Sequence, residues 1–441
     1  MFSIATASEK AMSEKYIELW KSIDMDIEKH NILLNALGQF YGSIYLPQKN
    51  RPQKMDYFNW VVSEVHGGRI KELNDQRALG KKVVGAFCVY APEELVFAAG
   101  ANMVGLCGGA DFSVPDAEAV LPRNLCPLIK SFYGFRLNRT CPYFQSSDLV
   151  VGETTCDGKK KVYELLSELI PTYVIEIPHR PDTQQGKEFW HKEVEAFKIK
   201  LEEVTGNKIT AEGLKASIEL INNKRKALKR LSDLRAHSPS PISGLDGLLI
   251  NQISFMDDPK RFTEKVNNLC DELEQRVKDG VGVAAKNAPR IIVAGCPMAV
   301  PNWKLHSIVQ ATGATIVSEE SCVGTRYFTD LVEPKGDSVD ELLWAIVEKY
   351  SKIPCACFTP NDRRIQSIEA LAGQFKADGI IYYTLQNCHD YNVEGVKVDR
   401  AMKAKDIPML KIETDYSMGD APQIQTRVEA FLEIIAGKKQ A

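Results

Sequence analysis

The sequence is short of several things, and each shortage narrows what the chain can be. No apolar run reaches the roughly 20 residues that a membrane-spanning helix needs. The first residues, MFSIATASEKAMSEKY, lack the charged start and apolar middle of a secretory signal. A cytoplasmic chain with no membrane partner is therefore expected. A net charge of −3 argues against a nucleic-acid partner, because such binders usually carry a basic face. Histidine is scarce, at 7 residues against 11 cysteines. There is no C-x₂-C pair of the kind zinc sites use and no C-x₂-C-x₂-C ferredoxin run. The only close pair is Cys355-Ala356-Cys357. A nucleotide loop is missing as well. The stretch from Gly152 to Lys159 puts five residues between its glycines, and Lys160 stands where a hydroxyl is required, whereas the phosphate loop G-x-x-x-x-G-K-[ST] has four and a Ser or Thr. The chain is not expected to bind ATP itself.

What is present is an α/β pattern long enough for roughly two or three domains. Residues 1–80 read as a helical N-terminal arm, with Tyr16, Leu19, Trp20 and Ile23 at helical spacing. Residues 81–182 read as a first α/β domain, with strands at Lys82–Cys88, Asn102–Cys107, Ser147–Val151 and Tyr173–Ile177. Residues 183–285 form a helical insertion or cover, and residues 286–441 a second α/β domain. Strands in the latter are expected at Ile291–Ala294, Ala314–Ser318, Asp378–Leu385 and Met409–Ile412, and Ser338 with Glu341 forms a capping box. Near-continuous Val/Ile runs favour parallel strands covered on both faces. The predicted fold is two doubly wound, Rossmann- or flavodoxin-like parallel-sheet domains.

Cys88, Cys107, Cys156, Cys296, Cys322 and Cys388 each follow an expected strand within a few residues. In doubly wound sheets those ends open on one edge, where ligands bind, so two facing sheets can gather distant thiols in one crevice. Cytosolic thiols are rarely disulfides, and thiolates without histidines suit iron–sulfur clusters or zinc. Cys156 also falls at the start of a helix, which favours a thiolate. The turn Gly152–Thr155 precedes it. Lys159, Lys160 and Lys161 follow it in turns where cations oppose the helix dipole, an arrangement that calls for a nearby anion. Cys270 extends the apolar face of a helix and reads as core. Cys88 and Cys296 fit buried strand ends equally well.

LCPLIKS around Cys126, GETTCDGKKKVYE around Cys156 and LQNCHDYNVE around Cys388 resemble the 2-hydroxyacyl-CoA dehydratase and benzoyl-CoA reductase family, from about Asp75 to the C-terminus. GCPMAVPNWK, EESCVGT and IPCACFTPN resemble its double-cubane branch more closely. That resemblance implies a homodimer in which each subunit holds two 4Fe–4S cubanes joined by a sulfide, an 8Fe–9S cluster. A separate ATP-hydrolysing iron–sulfur reductase would supply its electrons, and small molecules such as acetylene would be reduced. It implies Cys126, Cys156 and Cys388 as the shared ligands. Cys322, Cys355 and Cys357 would hold the second cubane, with Cys107 and Cys141 in reserve. His389 and Glu153 are candidate proton carriers, and Lys159 and Lys160 would balance cluster charge or contact the partner. A single 4Fe–4S cluster in a dehydratase subunit, a lyase, is the alternative, and an electron carrier or cluster-assembly scaffold a third reading.

Overall fold

The computed structural model describes residues 7–440. It contains two four-stranded sheets, parallel throughout. The first holds β1 (Val83–Ala86), β2 (Asn102–Gly105), β3 (Leu149–Glu153) and β4 (Thr172–Ile175) in the order β2-β1-β3-β4. The second holds β5 (Arg290–Gly295), β6 (Thr315–Glu320), β7 (Gly379–Leu385) and β8 (Met409–Thr414) in the order β6-β5-β7-β8. The two-unit α/β architecture expected from the sequence is thus the architecture found. Strands β3 and β7 are buried at every position, which is why their sequences run apolar without alternating.

Two strands run further than their apolar patterns suggest, and for one reason. Strand β3 continues through Glu153, where a turn was expected, and β6 continues through Glu319 and Glu320. A buried carboxylate is tolerated only when a cation neutralises it. Glu153 pairs with Lys159, Glu319 with Arg235 at 2.6 Å, and Glu320 with Arg326 at 2.6 Å and Arg364 at 3.2 Å. At the end of β5, Gly295 has φ +134°, and a Cβ there would lie 1.9 Å from the Tyr383 carbonyl oxygen. Only glycine fits, and it directs the chain into Cys296.

The insertion is four helices, Gln184–Thr205, Ala211–Leu234, Gly244–Ile253 and Pro259–Lys278. Helix Ala211–Leu234 is the seam between the units. Its Lys224 and Arg225 pair with Glu93 and Glu94 of the first unit at 2.5 and 2.6 Å. Tyr327 and Tyr350 of the second unit donate to the same two carboxylates at 2.6 and 2.8 Å. Both partners of the Arg225–Glu94 pair are fully buried, so losing one would strand a charge, at roughly 3–5 kcal/mol. Beside this seam the units also touch directly: a Cβ on Gly109 would lie 2.1 Å from the Ala299 carbonyl oxygen, and Tyr90 donates to the Ile353 carbonyl at 3.0 Å.

The N-terminal helices Ala7–Ser22, Ile27–Ile44, Met55–Ser63 and Gly68–Ala78 close over this assembly. Tyr16, Trp20 and Ile23 are buried, Leu19 only partly. Arg51 pairs with the buried Asp246 of the insertion at 2.6 Å, and Tyr45 packs edge-on against Trp303 of the second unit. The expected arm is therefore a clamp. Helix Val339–Tyr350 begins with the capping box of Ser338 and Glu341. No helix among the described residues is long and apolar enough to cross a membrane.

Candidate metal centre

The carboxyl ends of β1, β3, β5, β6 and β7 face a crevice of about 330 Å3, lined by Cys88, Cys126, Cys156, Cys296, Cys322, Cys355 and Cys388. Three of these are placed by the same local device. Cys126 precedes helix Pro127–Leu137, Cys156 precedes Asp157–Leu166, and Cys388 precedes His389–Ala404, each as the N-cap residue. Pro127 at the first helical position starts the first of these. Asn387, in the left-handed region at φ +58°, turns the chain after β7 so that Cys388 stands at the start of the third. Three helix N-termini thus meet at the crevice, each carrying roughly half a positive charge. Among the described residues no three His, Cys, Asp or Glu close around one point as a single ion would need. The thiols are instead spread around a larger space.

Burial and mutual contact set their protonation. The Cys126 thiol is pushed up by its hydrogen bond with Cys388 and by burial. Cys156 is pushed up to about 11 by burial, even though its Sγ accepts the Lys159 backbone N–H at 3.4 Å. Desolvation outweighs the helix terminus at this thiol, contrary to the thiolate expected from position alone. Burial likewise raises Cys322, although the Arg326 guanidinium lies 3.7 Å away. Cys355 is the exception. A hydrogen bond from Cys357, aided by the nearby Arg326, lowers it to about 6. The crevice is thiol-rich, with Lys159 and Arg326 beside it, and suited to a soft metal held by thiolates.

The expected site residues fall into three groups. Cys126, Cys156, Cys322, Cys355 and Cys388 line the crevice together, as do Lys159 and His389. Cys357 lies just behind, hydrogen-bonded to Cys355 and within electrostatic reach of Cys88. The others face elsewhere. Glu153 sits behind the wall, paired with Lys159 and accepting from Tyr163 at 3.2 Å and Thr155 at 3.0 Å. It is the anion that the lysine run called for; Lys160 and Lys161 are exposed and pair with Asp157 and Glu164. Cys107 and Cys141 are buried with their sulfurs 3.0 Å apart and do not line the crevice. Cys270 is buried in helix Pro259–Lys278, as expected of a core thiol.

Sequence reasoning passed over the groups that hold Cys322 in place. Arg326 is clamped by Glu320, donates to Tyr391 and to the Gly295 carbonyl at 2.7 Å, and so reaches Cys322 from a fixed position. Arg364 bridges Glu320 and Glu394. The four-residue spacing from Cys322 to Arg326 was the available signal; the other partners are too distant in sequence to suggest one another.

The sequence profile described as "2-hydroxyglutaryl-CoA dehydratase, D-component" matches residues 88–435. YjiM of Escherichia coli (strain K12), named as a candidate dehydratase subunit, is 36% identical over 82% of this chain and 93% of its own length. The (R)-phenyllactyl-CoA dehydratase beta subunit of Clostridium sporogenes is 27% identical over 86% of this chain and 98% of its own. A benzoyl-CoA reductase subunit of Thauera aromatica is 23% identical over 80% and 91%. The match begins at the first crevice cysteine and leaves the N-terminal clamp outside. The chain belongs to the 2-hydroxyglutaryl-CoA dehydratase D-component family.

Proposed function

We propose that the crevice holds a double-cubane 8Fe–9S cluster and that the chain is the substrate-reducing component of an iron–sulfur oxidoreductase. One observation carries the reading: Cys322 and Cys355 line the same crevice as Cys126, Cys156 and Cys388, with Cys357 touching Cys355. A lone 4Fe–4S cluster takes about four ligands, so this crevice offers more thiols than one cubane needs. In this reading Cys126, Cys156 and Cys388 hold one cubane and Cys322, Cys355 and Cys357 the other. The donor set fits, because the ligands are soft and three helix N-termini face an anionic group there. Such a cluster supplies low-potential electrons to a molecule held beside it.

The remaining work belongs to the chain. Arg326, fixed by Glu320 and Tyr391, holds positive charge at Cys322 Sγ. Glu153 holds Lys159 against the wall. His389, exposed at the rim of the crevice, exchanges protons with solvent. The chain acts as a homodimer in the cytoplasm, and a separate ATP-hydrolysing iron–sulfur reductase delivers the electrons, since the loop from Gly152 to Lys159 has no phosphate-loop spacing.

A dehydratase subunit with one 4Fe–4S cluster is the second reading, favoured by the dehydratase names among its relatives. Assay of the anaerobic protein with an ATP-hydrolysing iron–sulfur reductase separates them. The first reading expects ATP-dependent reduction of acetylene by this chain without a second dehydratase subunit. Dehydration of a 2-hydroxyacyl-CoA, with no acetylene reduction, would establish the second.

A further inference from the structure

A second cavity, of about 100 Å3, lies against the crevice, and the two share Phe87, Cys88, Leu128, Pro297 and Cys322 as walls. Its other walls come from both units and the seam: Phe97 and Met103 from the first sheet side, Ala299 and Val300 from the loop after β5, Phe255 and Met256 from the insertion. Most of this surface is apolar. The charged groups at its edge are largely neutralised, because Lys224 is bound to Glu93 at 2.5 Å and donates to the Ser254 carbonyl at 3.3 Å. Asp257, also at the edge, accepts from Tyr57 and Arg261. A mostly apolar lining favours an apolar guest over an ion.

We infer that this chamber, which meets the thiol crevice at Cys88 and Cys322, is the holding site for the reducible substrate, and that its mostly apolar lining selects small, uncharged, weakly polar molecules. The inference rests on the reductase reading and gives it a substrate class. Two features support the placement. The chamber borders Cys322, the thiol of the proposed second ligand set that Arg326 fixes, rather than Cys126, Cys156 or Cys388. Its opposite walls belong to different units, so it exists only where the two units meet.

Xenon is the direct probe, because it reports on the chamber whether or not a cluster is present. Crystals of the whole protein pressurised with xenon should show an atom bounded by Phe97, Met103 and Phe255; no xenon there overturns the inference. Met103→Trp and, from the opposite wall, Ala299→Leu should each expel xenon and lower acetylene reduction about tenfold or more, the scale on which pocket-filling groups act. Iron content and the spectrum of the reduced cluster should not change. Phe97→Ala should instead raise but-1-yne reduction relative to acetylene about tenfold. If either plugged variant, with full iron, excludes xenon yet reduces acetylene at the unmodified rate, the chamber is not the substrate's. If the unmodified protein takes up xenon at this position but reduces nothing, the reductase reading fails and the chamber's apolar selectivity stands.

Discussion

The two α/β units share one strand order and nearly one placement of cysteines, yet they use them differently. The first strand of each is followed by Cys88 or Cys296, the second by Cys107 or Cys322, the third by Cys156 or Cys388. Four of the six line the crevice as close equivalents, the pairs after the first and third strands. The pair after the second strand diverges. Cys322 faces the crevice beside Arg326, whereas Cys107 turns inward onto Cys141. The connection to the third strand diverges too: it supplies Cys126 in one unit and Cys355-Ala356-Cys357 in the other. Topology brings a thiol to the end of each strand, and the neighbours it finds there differ between the units. Arg326 stands by Cys322, and Cys107 is left with only another thiol.

Removing a proposed ligand that sits on a helix N-terminus should have the largest effect on this arrangement. Cys388→Ser is expected to abolish turnover and strip at least about half of the iron, because a hydroxyl is a poor ligand for iron in a cluster. Metal analysis of the anaerobic variant checks it, and full iron retention would remove Cys388 from the ligand set. Cys322→Ser attacks the point where the units diverge. If two cubanes are present, it should cost about half of the iron and all small-molecule reduction while the fold stays soluble, since the proposed ligands of the first cubane remain. Unchanged iron and turnover would make Cys322 an ordinary buried thiol.

The seam between the units is tested by Arg225→Ala. It leaves Glu94 buried without its cation, and urea unfolding should show a loss of roughly 3–5 kcal/mol. A loss under about 1 kcal/mol, the range of surface pairs, would mean that the seam is wet. The smallest effects belong to the thiols turned away from the crevice. Cys107→Ser and Cys270→Ser should each cost about 1–3 kcal/mol through a buried hydroxyl, with iron content unchanged. Loss of iron in Cys107→Ser would erase the difference between the units.

How much of this could be read from residues varies along the chain. Runs such as VVGAF and IIVAG, and the capping box at Ser338, announce their elements because the cause is local. The strand-end cysteines also announced a common edge, since doubly wound topology fixes which end they occupy. Hidden from the sequence were facts that depend on distant partners. Glu153 reads as a turn residue until Lys159 is seen folded back on it. Nothing in the sequence near Cys107 says that Cys141 lies 3.0 Å from it. The cavity proposed to hold the substrate is harder still, because its walls span residues from Ala86 to Val323.

Iron and acid-labile sulfide per chain, measured on the anaerobically purified and fully loaded protein, test the central claim most directly. Two ligand sets around one crevice predict about eight irons and nine sulfides for each chain, twice the iron of a single 4Fe–4S cluster. About four of each, in a protein that takes up no more on reconstitution, would contradict the double cubane and leave Cys322 and Cys355 as spectators beside a single one.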